Sequence, residues 1–95
     1  MSLNLYLLMQ DDNNDYDTFD SMIVVAENEE QARMIHPDGY DWSPDKNTWV
    51  NHRGEECIFK TWAFSIESIS VEHVGICSIE GAKPGDIVIK SFNAG

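Results

Sequence analysis

Apolar residues occur on both faces of the first predicted strand, residues 3–10. Every odd position from 3 to 9 is apolar, and two even positions, Tyr6 and Leu8, are apolar as well. A strand with two apolar faces is typical of the centre of a sheet, where both faces are at least partly covered. Residues 21–26, SMIVVA, are apolar and β-branched and predict a second strand. The polar stretch between the two strands predicts an antiparallel hairpin.

A short helix is predicted over residues 28–36. Asn28 is a residue type that caps helix N-termini, and Gln31 stands three positions later, as in a capping box. Pro37 ends the helix, because proline disfavours the helical conformation of the residue before it. The predicted buried stripe of this helix consists of Ala32, Ile35 and His36.

Residues 38–60 are the least regular part of the chain. Proline and glycine punctuate this segment, which predicts irregular structure or a small hairpin that turns at Arg53-Gly54. A helical turn is expected after it, near Ser65.

Two further strands are predicted in the last third of the chain. Residues 69–76 alternate, but the pattern slips by one position near Glu72, which indicates a β-bulge or two apolar faces. Pro84-Gly85 predicts a type II turn with glycine at the position of positive φ. Residues 87–92 then predict a strand that completes a C-terminal hairpin.

The resulting order of elements, β-β-α-β-β, predicts the fold class. Strands and a single helix segregated in this way are typical of an α+β domain. We expect a small antiparallel sheet of about four strands with one short helix packed on one face. The 95 residues, 42% of them hydrophobic, predict a single domain, residues 1–95, with a packed core.

Negative charge is concentrated in the first half of the chain. The net charge is −11, and residues 1–45 carry eleven acids against one base, Arg33, whereas residues 46–95 carry six acids and five bases. Contacts with phosphate need lysine and arginine, so nucleic acid and anionic membranes are not expected partners. A basic protein or a divalent cation fits this charge.

The cysteines and the first residues predict a cytoplasmic protein. The two cysteines, Cys57 and Cys77, have no CxxC spacing, and a small secreted domain would normally carry more. The first ten residues lack the basic and long apolar regions of a signal peptide. No apolar run approaches the roughly 18 residues of a membrane span.

The acidic stretch DDNNDYDTFD, residues 11–20, allows three interpretations. Its oxygen-bearing side chains alternate as at the start of an EF-hand loop, but Tyr16 occupies the glycine position and Met22 the position of the bidentate glutamate. A weak cation site, a solvated turn built on Asx-turns, and a protein-binding patch all remain open. The alternating side chains are those of Asp11, Asn13, Asp15 and Asp17.

Metal, cofactor and catalytic motifs are not found in the sequence. His73 and Cys77 fall in a predicted strand, where four residues span roughly 13 Å, too far for one zinc ion. There is no GxSxG motif and no phosphate-binding glycine loop. We therefore predict no catalytic residue, no metal and no cofactor. A hydrolase based on paired carboxylates in the acidic half is kept as an alternative.

Aromatic side chains surround the irregular segment, among them Trp42 and Trp49. If exposed, they would anchor a partner or a small ligand. If buried, they cover one face of a small sheet, which is the favoured interpretation. The neighbouring acids would suit a partner rich in arginine or lysine.

Several segments resemble a family of small uncharacterised proteins common in phage and prophage genomes. The similar segments are LYLLMQ, DYDTFDSMIVVAENEEQARMIHP, ISVEHVGIC and SFNAG. The resemblance covers residues 4–36 and 61–95, so residues 38–60 look like an insertion. It implies a phage or prophage setting and the host cytoplasm, and it carries over no catalytic or ligand residue. It also implies a joint role for Tyr16, Asp17, Thr18 and Asp20, for instance in contact with Phe92 and Asn93.

Together these observations predict a non-enzymatic protein-binding module whose acidic N-terminal half docks on a basic host or phage protein. In an extreme version it mimics DNA and occupies the nucleic-acid channel of a host defence enzyme. The alternatives are a binder of small ligands or divalent cations through residues 11–20, and a cryptic hydrolase. A homo-oligomer joined through an edge strand is also open. The candidate binding residues are Asp11, Asp12, Asp15, Tyr16, Asp17, Asp20, Trp42 and Trp49.

Overall fold

The computed structural model describes residues 3–13, 17–58 and 60–93. It contains a four-stranded antiparallel sheet, a separate two-stranded sheet and one short α-helix, so the α+β class predicted from the sequence is present. The elements are β1 (Asn4–Met9), β2 (Thr18–Ala26), α1 (Glu29–Arg33), β3 (Asp41–Ser43), β4 (Thr48–Val50), a 3-10 turn (Ile66–Ser68), β5 (Ser70–Ile76) and β6 (Ile87–Asn93).

The predicted N-terminal hairpin forms the centre of the large sheet. β1 and β2 pair from Asn4 opposite Ala26 to Met9 opposite Ser21, and the strand order is β5-β1-β2-β6. β1 is therefore a central strand, as its two apolar faces predicted. β2 begins at Thr18, earlier than the predicted residue 21, because Thr18 and Phe19 also pair with β6.

The predicted C-terminal hairpin is wrong, since β5 and β6 lie at opposite edges of the sheet. The predicted turn itself is present: Gly85 has a φ of 98°, and the Asp86 N–H donates to the carbonyl of Lys83 at 3.1 Å. Turn chemistry sets this local bend, but it does not set which strand β6 pairs with. The β1–β2 hairpin has two free edges, and each is paired by one of the two later strands, β5 on β1 and β6 on β2.

The helix α1 is shorter than the predicted span of residues 28–36. Its N-cap, Asn28, is confirmed, but the Gln31 side chain bonds to the N–H of Glu27 and not to that of Asn28, as a capping box would require. The Asn28 side chain accepts the Gln31 N–H at 2.8 Å, and Gln31 Oε1 accepts the Glu27 N–H at 2.7 Å. α1 packs against β1, β2 and β5, with Ala32 buried. Among the residues described, no helix has the length and apolarity needed to cross a membrane.

Residues 38–60 contain a β-hairpin that was not predicted, and it precedes the predicted turn in the chain. β3 pairs with β4, with Trp42 opposite Trp49, and residues 44–47 make the turn. At the predicted turn, Arg53-Gly54, the two sides meet through a single bridge between Val50 and Glu56. The expected helical turn near Ser65 is confirmed as the 3-10 turn, and Ser65 accepts the Glu67 N–H.

The core lies on one face of the four-stranded sheet. The even positions of β1, Tyr6 and Leu8, are buried there; α1 packs against this strand, and Trp49 of β4 belongs to the same core cluster. Trp49 and Trp62 are the largest fully buried side chains. The predicted slip in β5 is a register shift, because His73 faces Tyr6 while Gly75 faces Leu5. The core cluster comprises Tyr6, Leu8, Phe19, Met22, Val24, Ala26, Ala32, Trp49, Cys57, Trp62, Ala63 and Ile69.

Candidate functional site

Two buried amides, Gln10 and Asn13, hold the base of the acidic stretch. Gln10 Nε2 donates to the carbonyls of Asn13 at 2.9 Å and Phe19 at 2.8 Å. Gln10 Oε1 in turn accepts the Asn13 N–H at 2.8 Å. One side chain therefore ties together both arms of the hairpin, and this part of the stretch is not a free solvated turn.

The same stretch is hydrogen-bonded to the segment 60–64. Asn13 Nδ2 donates to the carbonyls of Lys60 at 2.7 Å and Trp62 at 3.1 Å. The Asp12 carboxylate accepts the Phe64 N–H at 2.9 Å. The sequence interpretation missed Gln10 and considered Asn13 only as an oxygen-bearing side chain of a possible cation site. The available signal was that both are amides beside aspartates, since an uncharged amide is buried at a lower cost than a carboxylate.

The aspartates that follow this base point to solvent. Asp11, Asp12, Asp17 and Asp20 are all exposed. Asp17 has a φ of 62°, a left-handed conformation that aspartate tolerates better than most residues. The candidates Asp15 and Tyr16 lie outside the described residues. The structure thus brings the described acids of the stretch to one end of the sheet, at the β1–β2 connection.

Of the residues expected to meet the C-terminal segment, Thr18 does so, and its neighbour Phe19, which was not among them, does so as well. Thr18, which is buried, pairs with Asn93 in the ladder between β2 and β6. The neighbouring rings of Phe19 and Phe92 lie 4.8 Å apart, and Lys90 Nζ lies 5.0 Å from the Phe19 ring centre. This association is a packing contact between two strands.

The described residues contain no group of three or more histidine, cysteine, aspartate or glutamate side chains placed to hold a metal ion. Asn13, one of the alternating oxygen-bearing residues, points its amide nitrogen at two main-chain carbonyls instead. The cation-binding alternative therefore gains no ligand cluster from the described part of the loop.

The candidate Trp49 belongs to the core and is withdrawn from the binding surface. It is 1% exposed, and its indole N–H donates to the carbonyl of Ala63 at 2.7 Å. Trp42 is half-buried and packs edge-on against Trp49 at 5.2 Å. Hairpin register explains the error, because cross-strand pairing turns the two rings toward the same covered face.

His36 is buried beside these aromatic rings. Its ring packs edge-on against Tyr40 at 5.1 Å and Trp49 at 4.9 Å, and its Nδ1 accepts the Asp38 N–H at 2.9 Å. Burial lowers the pKa of His36 to about 4, although the Asp38 carboxylate acts in the opposite direction. A hydrogen bond with the Cys57 thiol raises the pKa of Tyr40. The cluster is a neutral part of the core at pH 7.

Within the described residues, no helix or hairpin packs on the second face of the large sheet, although Val25, opposite Leu5, is buried there; we call it the open face. It carries the odd positions of β1, which are half-buried or exposed, and the residues paired with them. The register aligns these residues in two rows across the four strands. The first row is Ser70, Met9, Ser21 and Ser91, and the second is Glu72, Leu7, Ile23 and Ile89.

Two shallow grooves lie on the open face and share Ser21. The first has a volume of about 410 Å³ and is bounded by Met9, Asp11 and Asp20, among others. The second has a volume of about 380 Å³ and runs along Leu7, Ile23 and Ile89. The acidic end of the sheet and its uncovered apolar face are therefore parts of one continuous surface.

The chain matches no protein-family model, no curated protein and no solved structure. The resemblance to phage and prophage proteins stays a prediction.

Proposed function

We propose that this protein is a non-enzymatic binding module that docks on a basic protein through its acidic N-terminal half. The phage or prophage setting and the host cytoplasm are part of this proposal. The observation that carries it is the exposure of acidic charge in a half of the chain that holds eleven acids and one base. In the first 45 residues, every acid that the structure describes is exposed except the half-buried Glu27.

Lys60 and Lys90 make contacts away from these acids. The ion pair formed between described residues is Lys60 with Glu56 at 3.4 Å, and both lie in the second half. Lys90 is directed elsewhere, since its ammonium donates to the carbonyl of Pro37 at 2.9 Å. An acidic surface of this kind steers a basic partner and repels nucleic acid.

A salt series on captured protein tests the proposal. The tagged chain is used to capture proteins from a bacterial host lysate at about 0.1 M salt and then washed at about 1 M, where the Debye length falls from about 10 Å to about 3 Å. We expect a basic protein that is retained at low salt and released at high salt.

A matched pair of variants separates docking charge from total charge. One variant changes Asp17, Asp20 and Asp45 to asparagine, and the other changes Glu55, Glu67 and Glu80 to glutamine. All six side chains are exposed, so both variants lose the same surface charge. We expect retention to fall in the first variant and to hold in the second. Retention that is unchanged by salt and in both variants would refute the proposal.

A further inference from the structure

We infer that the open face, at its acidic end, is a docking groove for an amphipathic helix with an apolar stripe flanked by lysine or arginine. This inference rests on the proposed function, because it names the surface and the chemistry of the basic partner. It is drawn from three features of the described residues: the apolar floor, the shape of the grooves, and the sign of the charges around them.

The floor of the grooves is apolar and uncovered. Met9 is 42% exposed and Ile89 is 63% exposed, and the half-buried Leu7 and Ile23 lie between them in the two rows. A contiguous set of large apolar side chains on a sheet face marks an interaction site more often than scattered ones do. Covering this set from water supplies the favourable free energy for docking.

Small side chains shape the grooves. In the first row, the long side chain of Met9 is flanked by the short side chains of Ser70, Ser21 and Ser91. The two grooves, of about 410 and 380 Å³, meet at Ser21. A continuous trough of this kind admits the side chains of one helix face, as in the helix-in-groove mode of recognition.

Acids predominate among the charged residues at the grooves. Asp11 and Asp20 line the first groove, and Glu72 stands in the second row. Lys90 is among the residues that line the second groove, and its ammonium donates to the Pro37 carbonyl at 2.9 Å. An occupant with basic side chains beside its apolar stripe therefore meets complementary charge.

A second copy of the chain fits this surface less well. Each copy has a net charge of −11, and face-to-face pairing would bring two acidic surfaces together. A basic helix gains from the same charges, so it is the occupant that we propose.

The test uses a synthetic helix of about 14 residues made of leucine and lysine, with leucines on one face. Its binding to the full chain is followed by fluorescence anisotropy. The groove variant is Met9→Ser with Ile89→Ser. The control variant, Ile76→Ser with Ile79→Ser, also loses two exposed apolar side chains, but away from the grooves. We expect the groove variant to weaken binding by about tenfold or more and the control by less than about twofold.

A second comparison tests the charges. Asp20→Asn should weaken binding of the leucine–lysine helix, whereas Glu80→Gln, an exposed acid of the second half that lines neither groove, should leave it unchanged. A matched helix of leucine and glutamate should not bind. Circular dichroism and the urea midpoint of each variant verify that it folds.

The outcomes separate the groove from the proposed function. If the groove and control variants lose binding equally while binding stays sensitive to salt, the groove is refuted and the proposed function is kept. Absence of helix binding while a basic protein is still captured from lysate would do the same. If the leucine–lysine helix does not bind and no basic protein is captured from lysate, both proposals are refuted. A dimer abolished by Met9→Ser with Ile89→Ser would identify a second copy as the occupant and overturn the helix.

Discussion

Acidification should destabilise this protein through His36. In the folded chain the ring is 3% exposed, and its Nδ1 accepts a hydrogen bond from the Asp38 N–H. Protonation of Nδ1 removes this acceptor and places a charge among Tyr40 and Trp49. The unfolded chain, in contrast, protonates this histidine in water at its ordinary pKa.

The size of this destabilisation and the pH range in which it occurs follow from the pKa values of His36 in the unfolded and folded chain. Burial lowers the pKa of His36 from 6.5 to about 4, so between these values the unfolded chain binds a proton that the folded chain does not. The contribution is complete above about pH 6.5 and is lost as the pH falls toward about 4. At about 1.4 kcal/mol per pKa unit, the total loss is about 3 kcal/mol.

Urea unfolding followed by tryptophan fluorescence at a series of pH values from 7.5 to 4 measures this effect. Because a change of pH acts on the whole chain, the quantity to compare is the difference between the native protein and His36→Gln. That difference should shrink by about 3 kcal/mol across the window. His52→Gln, at an exposed position, should parallel the native protein. A difference between native protein and His36→Gln that stays constant with pH would refute the reasoning.

Two further predictions concern the acidic stretch and the turn before β6. Asn13→Ala should lower the free energy of unfolding by about 2 kcal/mol in urea titrations, because two carbonyls within residues 60–62 lose their buried donor. Asp45→Ala, at an exposed site, should change it little. Gly85→Ala should cost about 1 kcal/mol because its φ is +98°, whereas Gly75→Ala, with an ordinary φ and open space around it, should be neutral or mildly stabilising. Equal effects at the two glycines would contradict the conformational argument.

Local chemistry made parts of this fold predictable. The cap at Asn28 and the turn at Gly85 depend on neighbouring residues alone, and both formed as expected. The central position of β1 followed from its two apolar faces. Pairing between distant segments carries no such local signal. The C-terminal hairpin was therefore predicted wrongly, because alternation shows that a strand exists but not which strand lies beside it.

The candidate site, too, was predictable only where it depends on residues that are close in sequence. Charge could be assigned to one end of the hairpin because the aspartates are adjacent in sequence. The burial of Asn13 depends on carbonyls 47 and 49 positions away, and no pattern near Asn13 reveals them. The open face was also hidden, since the odd and even positions of β1 are both apolar and only the location of α1 and the small hairpin decides which is covered.

The outer strands of the large sheet impose a condition on how the chain folds. Even the shortest-range contact that they make with the central hairpin, Met9 with Ser70, joins residues 61 positions apart. Chains dominated by such long-range pairing fold on timescales of about milliseconds to seconds. During synthesis, β1 and β2 can form early, but β2 keeps an unpaired apolar edge until residues 87–93 have emerged. Molecules stalled or cleaved before that point expose this edge and are the species most prone to aggregate.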